Sequence, residues 1–376
     1  MPKTNLPSTQ SLPIKCGGWL VLSFLLASSH LSATPVADAA QPLPLETGDW
    51  VDPSNGIAGA ASAAPKTVDP VVSIPAPKCL SGDITSDRLW LISTRHLPYY
   101  VGCVQDGAPD LHVSRLDRCG RRSNSSLDDY QNTMCSDRVR IVYVHGNWRD
   151  SKNAVTRGLD AYLRITRRNT SRVPIDWVIW SWPSDRQSVG LSDARDKANR
   201  ADSQSLYLGW TLHQHVAVRQ PTALIGFSFG GRVCTGALHL LAGGTIAGRP
   251  LGLPPTVGAQ IDVGLLAPAL GSTWLSSNGR HRKATQNIDR MVLLYNERDV
   301  VLRNYWLLSK VRGITALGYT GPRQFAPRVD GTALPVRAKN CKRTVGMHHS
   351  ERHYYEAKCN AACDLATLIT SAMVHD

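Results

Sequence analysis

Thr222-Ala223-Leu224-Ile225-Gly226-Phe227-Ser228-Phe229-Gly230-Gly231 reads as a short apolar strand running into Gly-x-Ser-x-Gly, with a helix-forming segment, Arg232 to Leu241, directly behind it. A serine on a sharp strand-to-helix turn points its Oγ out of the backbone and into a cleft. The flanking glycines fit such a turn because neighbouring backbone comes so close that a Cβ would clash. The pentapeptide alone is a weak signal, since a Gly-rich β–α loop without chemistry has the same letters. Its setting between a buried strand and a helix makes Ser228 a candidate nucleophile.

The segments around it alternate strand and helix. Val139 to Val144 is a near-continuous apolar run that ends in His145-Gly146-Asn147-Trp148. Val155 to Ile165 reads as a helix, and Ile175 to Trp180 as a second buried strand ending in Ser181-Trp182-Pro183-Ser184. Ala194, Ala198, Ala201, Leu208 and Leu212 recur at helical spacing, which predicts a long amphipathic helix from Leu191 to Val218. Gln260 to Leu266 and Met291 to Tyr295 are further strands, and a last helix is expected over 354–373, packed by Leu365, Leu368 and Ile369. Strands that alternate with helices imply an α/β fold, with a mostly parallel, doubly wound sheet and helices on both faces. Gly271 to Asp289 is too short and polar to form a large cap. Thr315 to Lys339, rich in Gly, Pro and Arg, reads as a long connection.

The ends of the chain have a different character. Lys3 and Lys15, the apolar run Trp19 to Ala27 and the small residues Ala37-Asp38-Ala39 have the form of an export signal, 1–39, with cleavage expected after Ala39. The run is short for a bilayer span. Residues 40–78 carry seven prolines and few large apolar groups, so a linker or tail is expected, with the folded domain over 79–376. An exported chain is expected in the periplasm, at the cell surface or in the medium.

The nine cysteines suit that compartment. Cys79, Cys103, Cys119 and Cys135 precede the first core strand, within a stretch, 106–136, that reads as a disulfide-tethered antiparallel edge with irregular loops. Cys359 and Cys363 stand i,i+4 on the expected helix, too far apart to bond each other, so one of them should pair with Cys341. Cys234 is expected to be a buried free thiol. No paired Cys-x-x-Cys spacing occurs, so no metal or other cofactor is expected. The net charge of +13 is spread along the chain without a recognised nucleic-acid module. It indicates a basic solvated surface suited to anionic envelope components, not to nucleic acid.

A serine hydroxyl needs a base within hydrogen-bond reach, and the base needs a third group to orient it. Asp299, on the loop after the Met291–Tyr295 strand, is the candidate acid, with Glu297 in reserve; a cap for the helix that begins at Val300 is the alternative reading of Asp299. Gly346-Met347-His348-His349-Ser350-Glu351-Arg352-His353 offers three imidazoles. His349 suits a loop position after the last strand, and His353 and His348 are alternatives for the base. Backbone N–H donors for an oxyanion are expected from Phe229 and Asn147, with Trp148 as the alternative to Asn147. His145, Trp148, Trp182, Phe227 and Phe229 could form an apolar substrate pocket.

Val144-His-Gly-Asn147, Gly226-Phe-Ser-Phe-Gly230, Asn296-Glu-Arg-Asp299 and the late His349 together resemble the α/β-hydrolase superfamily. The Ser181-Trp-Pro-Ser184 segment is similar to uncharacterised exported bacterial members whose strand ends in Trp-Pro-Ser. The resemblance covers about residues 85–376 and implies an eight-stranded sheet and a Ser-Asp-His hydrolase, with no particular substrate. Phe229, directly after the serine, departs from the small or polar residue frequent there. An exported carboxylic-ester hydrolase of esterase or lipase type, acting on a small-molecule or lipid ester, is the leading expectation. An amidase or peptidase with the same trio, and a non-catalytic envelope-binding protein, are the alternatives.

Overall fold

Residues 87–171, 173–187, 191–309, 314–356 and 359–373 are described in the structure, a computed structural model. The export signal 1–39, the segment 40–78 and Cys79 lie outside the described residues. The chain runs through β1 (Arg88–Ser93), β2 (His112–Leu116), β3 (Arg122–Asn124), α1 (Leu127–Asn132), β4 (Val139–Val144), α2 (Ser151–Thr166) and β5 (Ile175–Ser181). It continues through α3 (Leu191–Ala217), β6 (Thr222–Phe227), α4 (Phe229–Leu241), β7 (Ile261–Leu266) and β8 (Ile288–Tyr295). Three short helices follow, α5 (Val300–Arg303), α6 (Trp306–Ser309) and α7 (Leu317–Thr320). Then come β9 (Val336–Asn340), α8 (Glu351–Tyr355) and α9 (Ala361–Ser371).

The strands make one sheet in the order β3-β2-β1-β5-β4-β6-β7-β8-β9, and β2 alone runs against the others. This is a mostly parallel, doubly wound α/β sheet, and no large cap is evident among the described residues. Every residue of β4, β5, β6 and β7 is buried. That burial explains why these four strands read as near-continuous apolar runs, interrupted by the buried Arg140, Asp176 and Asp262 at their second positions: helices cover the sheet on both sides.

The order of the strands decides where a site can form. From β4 the chain crosses through α2 to β5 on one side, whereas from β6 it crosses through α4 to β7 on the other. Right-handed crossovers in opposite directions put their helices on opposite faces. Accordingly α3 packs along α4, and α2 packs against α9. The winding reverses between β4 and β6, which are direct neighbours with Val144 opposite Gly226. At such a switch point the two following loops diverge and leave a crevice at the carboxyl ends of the strands.

Three expectations are corrected. The sheet has nine strands, not eight, because the hairpin β2–β3 adds a strand at one edge. β9 lies inside the segment read as a long connection; it is an edge strand, and its Arg337 and Lys339 face solvent and the α9 carboxylate Asp364, which hides any apolar alternation. The last helix is two helices, α8 and α9, separated by Cys359 and by Asn360 in the left-handed region at φ 54°. Leu365, Leu368 and Ile369 are buried on α9 as expected.

Cys341 bonds Cys359, while Cys363 and the buried Cys234 are free. Cys135 is disulfide-bonded, but Cys119, expected to share in tethering the same edge, is a free exposed thiol, as is Cys103.

The opposite end of the sheet carries a buried ionic cluster. Asp176 of β5 accepts hydrogen bonds from Arg88 at 2.6 Å, Arg138 at 2.9 Å and Arg140 at 2.7 Å. Burial would raise its carboxyl pKa, but the guanidinium groups outweigh burial and hold it below the ordinary value. Arg140 has no exposed surface and lies 4.2 Å above the Tyr130 ring, a second source of compensation for its charge. Asp176→Asn should therefore lower stability by about 3–5 kcal/mol, since it leaves buried guanidinium charge unpaired. Urea unfolding monitored by tryptophan fluorescence checks this, and a loss below about 1 kcal/mol would count against the cluster's role.

Candidate active site

Ser228 stands between β6 and α4 with φ 54° and ψ −120°, a backbone conformation that costs a non-glycine residue of order 1–3 kcal/mol. The surroundings enforce it. α4 starts immediately and runs so close beneath β4 that a Cβ on Gly230 would strike the Val144 carbonyl. One on Gly226 would meet the Gly231 backbone nitrogen at 2.6 Å. The Ser228 N–H donates to the Leu266 carbonyl at 3.0 Å, and its own carbonyl accepts from Gly231 and Ala269, both at 3.0 Å. The turn is thus tied to β7 as well as to its own helix.

Of the three candidate imidazoles, the fold brings His349 to the serine. The Ser228 hydroxyl donates to His349 Nε2 at 2.8 Å, and His349 Nδ1 donates to Asp299 Oδ2 at 2.7 Å, in the one tautomer that satisfies both bonds. Phe227 stacks against the His349 ring with centroids 5.2 Å apart. His348 and His353 pack on each other at 4.7 Å, and the His353 N–H caps back to the Ser350 carbonyl.

Asp299 fulfils both of the readings its position allowed. Its Oδ1 accepts from the N–H groups of Val301 and Leu302, each at 3.0 Å, which caps α5. Its Oδ2 is left for the imidazole. The carboxylate has no exposed surface, and each oxygen has partners, so burial does not leave it uncompensated. Glu297, the reserve acid, turns outward to Lys342.

Two further contacts hold the histidine loop against the acid loop. Asn296 donates from Nδ2 to the Gly346 carbonyl at 2.8 Å, and the Val300 N–H reaches the Met347 carbonyl at 3.4 Å. The Cys341–Cys359 bond closes the segment that carries His349. Sequence reasoning did not single out Glu351, two residues beyond His349. Its carboxyl accepts from the Tyr143 hydroxyl of β4 at 2.9 and 2.8 Å and from Tyr355 at 3.1 Å, and burial raises its pKa to about 6. The i,i+4 pair Glu351/Tyr355, just after His348-His349 and spanning His353, was the available signal.

The expected pocket is only partly open to solvent. Phe229 is the first residue of α4, so its N–H is among those with no acceptor inside the helix. Asn147 is half-buried in the turn after β4. Trp148, at φ 56°, is exposed, and its indole N–H donates to Asp193 of α3 at 2.8 Å. Phe227 is occupied with His349, as above, and Phe229 is buried. His145 and Trp182 line no open surface: both are fully buried and stacked with centroids 5.6 Å apart. Trp182 donates from Nε1 to the His145 carbonyl at 2.8 Å, and its backbone N–H points to His145 Nε2 at 3.3 Å. Aromatic letters at strand ends do not distinguish a wall of the crevice from a brace behind it. Here the ring pair fixes the turn after β4.

No protein-family model and no curated protein matches the chain. Among solved structures, esterase B from Lactobacillus rhamnosis is 13% identical, with 77% of this chain and 87% of that one covered and a TM-score of 0.35. The α/β hydrolase MGS-M1 from a Medee basin deep-sea metagenome library is 18% identical, covering 63% and 77%, at 0.26. Thermogutta terrifontis esterase 2 is 13% identical, covering 61% and 81%, at 0.27. Similarity this low leaves the reading to the residues themselves.

Burial moves the His145 pKa from 6.5 down to about 3. The unfolded chain binds a proton here below 6.5, whereas the native chain resists it until about 3. Stability present at neutral pH is therefore lost as pH falls through that window, by about 3 kcal/mol between roughly pH 7 and pH 4. Urea unfolding of the wild type and of His145→Gln across this range should show the wild type losing more stability by about that amount. Parallel curves would refute the burial of a neutral imidazole.

Proposed function

We propose that the chain is an exported serine hydrolase that cleaves carboxylic esters through a covalent acyl-enzyme. The observation that carries this reading is the unbroken path from Ser228 Oγ to His349 Nε2 at 2.8 Å and from Nδ1 to Asp299 at 2.7 Å. Binding alone has no use for that arrangement. The strained backbone that presents the serine at a topological switch point adds to it. Export is supported by the form of the first forty residues and by a disulfide in the chain.

In this mechanism Ser228 Oγ attacks the ester carbonyl carbon as its proton passes to His349 Nε2. Asp299 stabilises the imidazolium and does not take the proton. The N–H groups of Phe229 and Asn147 would receive the charge that develops on the carbonyl oxygen. Collapse of the tetrahedral intermediate expels the alcohol, which leaves with the proton from His349. Water, deprotonated by the same imidazole, then releases the acid and restores Ser228. The depth of burial of Asp299 favours a fixed carboxylate over a mobile one, because no solvent competes for its oxygens.

Ser228→Ala should abolish labelling by a fluorophosphonate probe and hydrolysis of nitrophenyl esters. Asp299→Asn should lower kcat by about 10⁴-fold through the wrong imidazole tautomer. His349→Ala should match Ser228→Ala, whereas His353→Ala should keep most of the activity. Labelling that persists in Ser228→Ala would remove the nucleophile from this account. An ester panel of increasing acyl length on the wild type separates an esterase from a lipase.

A further inference from the structure

The loop between β1 and β2 ends where it begins. Antiparallel pairing sets Ser93 of β1 opposite His112, the first residue of β2, and so brings residues 94–96 beside 110–112. The side chains that meet there are His96, Asp110 and His112, and one ligand atom from each lies within 4.8 Å of the other two. The two imidazoles are stacked nearly parallel, 12° apart, with centroids only 3.5 Å from each other. His96 Nε2 is 2.8 Å from the Asp110 carbonyl oxygen and 3.7 Å from its Oδ2. All three side chains are solvent-accessible, so an ion can reach them.

We propose that His96, Asp110 and His112 bind a divalent cation of the zinc class, outside the serine site. Two imidazoles and one carboxylate make the donor set of a three-ligand zinc site with an open fourth position. Imidazole nitrogens select zinc-like first-row ions over calcium or magnesium, which prefer oxygen alone. Tetrahedral bonds of about 2.0–2.2 Å place ligand atoms roughly 3.3–3.6 Å apart. Ligand atoms within 4.8 Å of one another therefore close on an ion with about 1.5 Å of movement or less, within reach of a χ rotation by exposed side chains. Cysteine spacing gave no hint of such a site, because its ligands are two histidines and an aspartate drawn from both ends of one loop.

The ion would close the 94–111 loop at its neck. That loop supplies Leu97, Pro98, Val104 and Asp110 to the wall of a cavity of about 150 Å³, whose other side is Tyr207 and Trp210 of α3. Asp110 belongs to both the cavity wall and the ligand set. Metal binding thus couples to the order of this loop, since the ligands converge only when β1 and β2 are paired.

Calorimetric titration of the full mature chain with zinc chloride at neutral pH, in a non-chelating buffer, tests this. The expected result is a site that takes one ion per chain and weakens by about 100-fold or more in His112→Ala and in Asp110→Asn. Even a group that supports a ligand from behind is worth about 10–100-fold. The His353→Ala protein should bind as the wild type does. Amide hydrogen exchange over 94–111 should slow on zinc addition in the wild type and stay unchanged in His112→Ala. All three side chains are exposed, so unaltered melting of the metal-free variants establishes that they fold. Zinc binding of equal strength in wild type, His112→Ala and Asp110→Asn, or no binding to the wild type, would overturn the proposal.

Discussion

The backbone at Ser228 is the constraint on which the site depends. α4 begins one residue after β6 ends and passes close enough to β4 that the chain must turn through φ 54°, ψ −120° to enter it. A non-glycine residue stays in that conformation only when its surroundings over-determine it. Here bonds from Ser228 to Leu266, Gly231 and Ala269 fix both sides of its peptide. The strain has a geometric result: the side chain projects into the crevice that the reversal of winding opens. Relaxing the turn would require moving α4, and with it the long helix α3 packed along it.

Everything else in the site is brought to that fixed point by parts of the chain far away in sequence. Asp299 can hold an imidazole because only one of its oxygens is used by the cap of α5. The His349 segment is pinned by Asn296, by the Met347 carbonyl, by Glu351 on Tyr143 and by the Cys341–Cys359 bond. None of the three hydrogen-bonded contacts is strong by itself, and the disulfide fixes the ends of the segment but not the histidine within it. A net hydrogen bond contributes about 1 kcal/mol, so the loop's geometry rests on several acting together. The two buried polar groups that brace this end of the sheet, His145 and Glu351, both have pKa values moved by desolvation, toward their neutral forms. Hydrogen bonds offset that desolvation: the His145 ring bonds through both nitrogens, and the Glu351 carboxyl accepts from Tyr143 and Tyr355.

Most of the parallel sheet was legible in the sequence because its strands are covered on both sides. β4 and β6 begin and end within about a residue of where their apolar runs do, as expected of strands that never face water. The edges were not legible in the same way. β9 carries Arg337 and Lys339, and β3 has no buried residue, so neither presents an apolar signal. The break between α8 and α9 falls at Asn360, in the left-handed region at φ 54° directly after the crosslinked Cys359; asparagine tolerates that region, but a single such residue inside an apolar helical period gives little warning of it.

The sequence by itself determined the class of fold, the strand-to-helix turn that carries Ser228, the chain order of Ser228, Asp299 and His349, and the Cys341 pairing options. These depend on local spacing, apolar period and turn chemistry, which the chain carries in each segment. Only the tertiary structure decided that His349 and not His348 or His353 reaches Ser228. It also decided that His145 and Trp182 brace the crevice from behind, and that His96 meets His112. Neighbouring side chains in one loop share the same local signal. Which of them points at a partner more than a hundred residues away depends on how the sheet brings the loops together, and the local sequence does not encode that.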